Sequence, residues 1–291
     1  MAYPLVEGNI GEYCTLNGEK VLYDSAEASE LFLPTDEITY YESVRFQNGV
    51  LLFWEDHMER LAKSVAAKED FPIDPDTYHF IAENMIFESG SANGNVRVVV
   101  TKTRYLIYFS NMTYPTEQMY KEGIVTRSLT WERVEPHVKI FRGDYKSAVN
   151  RAQNTETVYG MPYEVILRGN DGRFVEGGRS NFFVIVGDTV YSPSEDLILI
   201  GITRKYVKNA IAEAGLKLEE GAFTIEELEA LEKEEDDGPP AMGLFVTSSP
   251  FDILPVASID EKKFRSSECP NLQKLMTSYQ KIVQLYIDSH R

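Results

Sequence analysis

Lys146, in Asp144-Tyr145-Lys146-Ser147-Ala148-Val149-Asn150-Arg151, and Glu176, in Phe174-Val175-Glu176-Gly177-Gly178-Arg179-Ser180-Asn181, are the pair whose types and settings could do covalent chemistry. A lysine amine forms a Schiff base with an aldehyde once burial or a neighbouring cation lowers its pKa from about 10.4. A carboxylate that ends a strand beside two glycines can be approached closely by a ligand. Downstream, Gly201-Ile202-Thr203-Arg204 opens a helix and Thr247-Ser248-Ser249 follows a strand. Backbone amides and hydroxyls in such places grip a phosphate dianion. An amine, a carboxylate and two anion-cradling turns are the parts that hold pyridoxal phosphate.

Each part alone also reads as ordinary structure. A single lysine is usually a surface residue, Glu176 suits an edge strand, Gly201-Ile202-Thr203 suits a plain helix start, and Thr247-Ser248 suits a polar turn. Lys139, in Val138-Lys139-Ile140, competes with Lys146, but its apolar neighbours suit a strand with the ammonium outward. Arg60 could bring charge to a phosphate, and His57, three residues before it on one helix face, reads as a structural histidine between helix and sheet.

The elements that must position these groups are legible. Ile38 to Phe46 and Val50 to Trp54 are strand-like around Asn48-Gly49, a strong hairpin signal. Helices are expected over Glu55 to Ala67, Asp76 to Phe87, Lys146 to Tyr159, Thr203 to Ala214 and Leu272 to His290. Thr224 with Glu227 is a capping box opening another helix. Strands are expected over Val96 to Thr101, Tyr105 to Phe109, Gly123 to Leu129, Glu164 to Leu167, Phe174 to Glu176, Phe182 to Val186, Val190 to Ser192, Ala241 to Val246 and Ile253 to Ile259. Asn111 to Gln118, with Pro115, reads as a linker between a domain over 1–115 and a larger one over 116–291. The acidic run Glu232 to Gly238 reads as a solvated loop. Short strands with interspersed helices in both halves imply mixed sheets, an α/β (α+β) fold.

The chain has 291 residues and a formal net charge of −17. No basic cluster suits nucleic acid or an anionic membrane, and no apolar run approaches the ~20 residues that span a bilayer. The N-terminus lacks a basic, then apolar leader, which points to a cytoplasmic protein. Cys14 and Cys269 read as free thiols, and no metal-ligand spacing is present.

In order and spacing these blocks resemble the fold-type IV pyridoxal-phosphate enzymes, the class IV aminotransferase family of branched-chain aminotransferases, D-amino-acid aminotransferases and 4-amino-4-deoxychorismate lyases. The resemblance runs from about Glu42 to Val256. It rests on Glu42-Ser43-Val44-Arg45 with Gly49, His57-x-x-Arg60-Leu61, Lys146 ahead of Asn150-Arg151, Glu176 with Asn181-Phe182-Phe183, Gly201-Ile202-Thr203-Arg204, and Thr247-Ser248 followed by Pro255-Val256.

The resemblance implies a small N-terminal α/β domain, a larger C-terminal one, pyridoxal phosphate between them, and a homodimer. It implies that Lys146 holds the cofactor and shuttles the proton. It implies that Glu176 pairs with the pyridine nitrogen, braced by Asn181, and that Arg60, Ile202, Thr203, Thr247 and Ser248 bind phosphate. Asn150 or Arg151 falls near the phenolic oxygen. The chain departs from the family where it reads Thr35-Asp36-Glu37-Ile38-Thr39-Tyr40-Tyr41-Glu42 and Val100-Thr101-Lys102-Thr103-Arg104, regions that help shape the substrate carboxylate site. The reaction implied is amino-group transfer from a branched-chain or otherwise apolar L-amino acid to a 2-oxo acid. Tyr40, Tyr41, Phe46, Phe53, Trp54 and Tyr108 are wall candidates, most of them core, and Arg97 and Lys102 are carboxylate candidates or outward-facing charges. Pyruvate elimination from aminodeoxychorismate, or a catalytically silent cofactor-binding homologue, are the alternatives.

Overall fold

The computed structural model describes residues 3–132, 135–233 and 238–291. Its contacts divide the chain into two units. One is Met1–Thr113 with Val138–Lys146 and Leu285–Arg291, and the other is Tyr114–His137 with Ser147–Gln284. The fold is mixed α/β with an extended sheet in each unit.

In the first unit six antiparallel strands run in the order Glu19–Leu22, Tyr13–Leu16, Tyr105–Phe109, Asn93–Val100, Tyr40–Gln47, Val50–Leu51. Tyr40–Gln47 alternates strictly between buried and half-buried positions, so one face packs while Tyr41, Ser43 and Arg45 look the other way. The buried face meets the helices Trp54–Ala66 and Pro75–Ser89 through Val44, Phe46, Met58, Leu61 and Ala82. Asn48 (φ 53°) and Gly49 (φ 81°) make the expected turn, because both positions need the left-handed backbone that asparagine and glycine tolerate.

The second unit is built on a nine-stranded mixed sheet. Its main path is Phe174–Gly177, Glu164–Arg168, Ile124–Thr130, Asp252–Ile259, Met242–Ser248, Asn181–Val186, Thr189–Ser192, Lys217–Glu220, with Lys262–Lys263 on Asp252–Ile259. Glu176 pairs with Asn181, which returns the path from its first strand to its sixth and closes a ring. Ile166, Phe174, Phe182, Leu244, Val246 and Leu254 fill a core on this sheet. The Thr224 capping box forms with both reciprocal bonds: Glu227 N–H donates to the Thr224 hydroxyl at 3.3 Å, and Thr224 N–H donates to the Glu227 carboxylate at 2.9 Å.

Several elements differ from expectation. The apolar run Val50 to Trp54 is a strand only over Val50–Leu51; Phe53 takes φ 57° and Trp54 already begins the helix. The lysine-bearing helix is Gly143–Gln153 and not Lys146 to Tyr159, so Lys146 lies in its first turn. Val138-Lys139-Ile140 is not a strand; Ile140 makes one isolated bridge to Tyr40. The expected linker is partly a helix, Glu117–Glu122, capped by the Thr116 hydroxyl. In the acidic run, residues 234–237 lie outside the described residues, and Glu232 belongs to the last turn of the helix Ile225–Lys233. Tyr13–Leu16, Glu19–Leu22 and Lys217–Glu220 are strands the sequence reading leaves out. Cys14 and Cys269 are free, as expected, and both are buried.

Candidate active site

In the first unit Lys146 is a half-buried amine, its side chain 30% exposed, in direct ion-pair contact with the Glu7 carboxylate. Arg97 reaches the same carboxylate with Nη1 at 3.4 Å. Tyr3 donates its hydroxyl there as well. The rings of Tyr3, Phe141 and Tyr41 stack, with centroids 4.9 and 4.0 Å apart along the column. Lys146 Nζ lies 4.8 Å from the Tyr3 ring centre, and the Arg97 guanidinium 5.5 Å from that of Tyr41. Burial pushes the Lys146 ammonium below its ordinary pKa and the Arg97 charge adds to this, while Glu7 pulls it back up. Burial raises the Glu7 carboxyl, but the bonds from Lys146 and Tyr3 and the Lys146 and Arg97 charges outweigh it and leave it below the usual range.

Also in this unit, Glu42 is fully buried and takes a bidentate grip from Arg60, Nε to Oε1 at 2.7 Å and Nη2 to Oε2 at 2.5 Å. His57 Nδ1 lies 2.7 Å from Oε2. An ionised carboxylate only accepts, so His57 carries its proton on Nδ1. His57 is thus the structural histidine the sequence suggests, and Arg60 is anchored by an acid of the same unit. Tyr40, Phe46, Trp54 and Tyr108 are core, and Phe53 is buried. Of the six wall candidates only Tyr41 is partly open. Arg97 is not an outward-facing charge, with 11% of its side chain exposed, whereas Lys102 is exposed in the turn after its strand. Lys139 places Nζ 4.9 Å over the Tyr41 ring instead of pointing outward from a strand.

In the second unit Glu176, 2% exposed, accepts from the Leu199 N–H at 3.1 Å, and Asn181 donates Nδ2–H to the Leu199 carbonyl at 2.8 Å. Both polar groups around one residue are therefore held by the two motif side chains. A tight turn follows Glu176, with Gly177 N–H donating to the Ser180 carbonyl at 2.7 Å. A Cβ at Gly178 would sit 2.8 Å from Val149 of the Gly143–Gln153 helix, so only glycine allows that approach. Arg151 is exposed on the same helix.

The helix Ile202–Glu213 starts at Gly201, which has no side chain to cap the first-turn amides. A Cβ at Gly201 would overlap Asn181 Oδ1. Thr203 Oγ1 lies 3.5 Å from Ser249 Oγ, and Ser248 donates its hydroxyl to the Arg179 carbonyl at 2.9 Å. Thr247 is 2% exposed and its Oγ1 has no hydrogen-bond partner among the described residues. A buried orphan hydroxyl costs stability unless a ligand answers it. Together with an uncapped helix start it suits a phosphate, so the donor set fits the phosphate end of pyridoxal phosphate. Among the described residues no cluster could hold a metal, and no helix is long and apolar enough to cross a membrane.

Sequence reading left out Tyr3, Glu7, Phe141 and the buried acid Glu164. Glu164 lies 3.5 Å from Arg179 Nε, and burial raises its carboxyl. No local signal marks them, because each gains its role from partners distant in sequence.

The family described as amino-transferase class IV matches residues 39–259. D-alanine aminotransferase of Bacillus licheniformis is 28% identical over 270 residues, covering 83% of this chain and 88% of that protein. A branched-chain amino acid aminotransferase of T.th., solved with pyridoxamine 5'-phosphate, superposes with a TM-score of 0.75 at 17% identity, covering 96% of each chain. A putative 4-amino-4-deoxychorismate lyase of Legionella pneumophila gives 0.68 at 20% identity, covering 84% of this chain and 91% of that one. With the match spanning Glu42 to Val256, the blocks that hold the lysine, the acid and the phosphate turns, this chain belongs to the class IV aminotransferase family of pyridoxal-phosphate enzymes.

Proposed function

We propose that the chain transfers the amino group of an apolar L-amino acid to a 2-oxo acid, with Lys146 as its catalytic residue. One observation carries the reading: Lys146 is a half-buried amine whose pKa is lowered by burial, at the start of the Gly143–Gln153 helix and beside a second cation, Arg97. Such an amine is a better nucleophile and base than a free lysine.

When bound, pyridoxal phosphate supplies the electron sink that lets the substrate Cα–H bond break. Lys146 Nζ would be the base that takes that proton from Cα and hands it on. Glu176, fixed through Leu199, holds a proton on the ring nitrogen, and Asn181 braces the same loop. The amides of Ile202 and Thr203, with the hydroxyls of Thr203, Thr247 and Ser248, bind the phosphate. Arg60, anchored on Glu42 through two N–H bonds, adds charge for the same phosphate. Arg151 serves the phenolic oxygen. Arg97 receives the substrate carboxylate while Tyr41 and Phe141 offer the side chain an apolar wall. We further propose a homodimer working in the cytoplasm.

The test is direct. Borohydride reduction after incubation with pyridoxal phosphate is expected to fix the pyridoxyl group on Lys146, located by peptide mass mapping, and Lys146→Ala is expected to abolish turnover. Trapping on Lys139 refutes the assignment. Loss of the cofactor absorbance with L-amino acids, restored by a 2-oxo acid, supports transfer. Response to D-amino acids alone corrects the stereochemistry. Pyruvate release from aminodeoxychorismate without that response makes the chain a lyase.

A further inference from the structure

Glu7 lies outside the family match of residues 39–259, yet its carboxylate touches the amine on which the proposed reaction depends. The contact is built. The Glu7 backbone N–H donates to the Tyr108 hydroxyl at 3.1 Å, and Tyr108 is fully buried. Val6 N–H donates to the Leu31 carbonyl at 3.0 Å, and the Leu5 and Val6 side chains are buried. The segment is thus pinned by its backbone, and its one acidic side chain is delivered to two cations, Lys146 and Arg97. Tyr3 adds a third contact to the same oxygens.

A carboxylate in this position is the chemical twin of the carboxylate that an amino acid would bring. It satisfies Arg97, whose guanidinium also bonds the Ser43 hydroxyl at 3.4 Å and the Tyr108 hydroxyl and faces the Tyr41 and Phe141 rings. It also pulls the Lys146 ammonium back up against the effect of burial. The titratable and charged groups facing that amine are Glu7, Arg97 and Tyr3, with Tyr41 and Tyr108 around Arg97. Of these, Glu7 holds the proton on and Arg97 drives it off.

We propose that Glu7 is a positioning residue for Lys146, an internal carboxylate that keeps the free amine protonated and aimed and covers Arg97 until a substrate carboxylate takes its place. The proposal rests on the reading of Lys146 as the reacting lysine. It deepens that reading by naming a competitor for the substrate site within the chain itself. A substrate with one carboxylate exchanges for Glu7 at no change of charge, whereas a neutral amine cannot relieve Arg97.

The test uses the full chain stripped of cofactor. Lys146 is labelled with an amine-acylating reagent across pH and quantified by peptide mass spectrometry. In Glu7→Gln the midpoint of labelling is expected to fall by about one pH unit or more, giving roughly tenfold faster labelling at neutral pH. Glu7→Asp, which keeps the charge, is expected to return most of the shift. In Glu7→Ala, acetate is expected to restore the wild-type midpoint where chloride at equal ionic strength does not. An unchanged midpoint in folded Glu7→Gln, or equal responses to acetate and chloride, overturns the proposal. If the wild type fixes pyridoxal phosphate on Lys146 and the midpoint does not move, the Glu7 role alone falls. If the wild type never takes up the cofactor, the proposed function falls while a labelling shift still reports the ion pair.

Discussion

Replacing Glu42 by glutamine keeps the size of the side chain and removes its charge. In the wild type the carboxylate is fully buried, gripped at two oxygens by Arg60 and bonded to His57. The amide has one acceptor where three donors converge, and its own N–H groups face donors. Arg60, only 13% exposed, loses the charge it grips. Removing one member of a buried pair costs about 3–5 kcal/mol, and the partial water access of Arg60 places the expectation near 3 kcal/mol. Coulomb's law agrees in size: opposite charges at 4 Å with an effective dielectric of 20 gain about 4 kcal/mol. Urea unfolding followed by circular dichroism reads the loss. A loss below about 1 kcal/mol would refute the claim that this cluster is held by charge.

The same cluster sets a pH dependence. Burial alone raises the Glu42 carboxyl, but Arg60 and the His57 bond overcome it and hold it well below the usual value. A carboxylate with a depressed folded pKa contributes stability that is present above its unfolded value of about 4.3 and lost as pH falls through the folded one. Burial depresses His57 as well. Below about 6.5 the unfolded chain gains a proton on histidine that the folded chain resists, so this term also weakens on acidification. Stability is therefore expected to decline from about pH 6.5 downward and again below about 4.3. The lower decline should flatten in Glu42→Gln, and equal slopes in the two proteins would contradict the assignment.

Gly201→Ala is expected to push Asn181 aside and weaken pyridoxal phosphate binding by about tenfold or more, the size of one good hydrogen bond to a charged group, as read by fluorescence titration. Thr224→Ala removes the reciprocal cap and should cost about 1 kcal/mol in urea unfolding with no change in turnover. Glu176→Gln retains an acceptor for Leu199 N–H but loses the charge, so turnover should fall by about a hundredfold. Stability should change little by comparison, and a proportionate loss of both would make Glu176 merely structural. Glu176→Gln and Asn181→Ala grip the same loop residue, so their effects on cofactor binding should be non-additive by about 0.5–3 kcal/mol in a double-mutant cycle.

Local codes account for what the sequence revealed. Asn48-Gly49 announces its turn because both residues must adopt positive φ, and the Thr224 cap because its two bonds span three residues. Asn17-Gly18, at φ 49° and 89°, carries the same turn signal between Tyr13–Leu16 and Glu19–Leu22 and was available to be read. Lys217–Glu220 was not. All four residues are exposed on the sheet edge, so no alternation marks the strand, which exists by pairing with Thr189–Ser192. The helix start at Trp54 is hidden in an apolar run, because Phe53 alone reverses the backbone. The motif singles out Lys146 but not its ionic partner: Glu7 is far from it in sequence, and such a contact leaves no periodicity.

The two most specific sequence blocks, Glu176 to Phe183 and Gly201 to Arg204, are explained by one peptide segment. Leu199 presents its N–H to Glu176 and its carbonyl to Asn181, and neither bond can form unless the chain turns within reach of both side chains. Two residues later Gly201 must lack a Cβ, because the Asn181 amide oxygen occupies that space. The acid therefore cannot be fixed without the asparagine, nor the asparagine fitted without the glycine, and that glycine leaves the first-turn amides of the next helix uncapped. The acid and the amide cradle proposed for a ring nitrogen and a phosphate thus come from a single packing solution. For this reason the blocks are recognisable together, although each on its own reads as a strand end or a helix start.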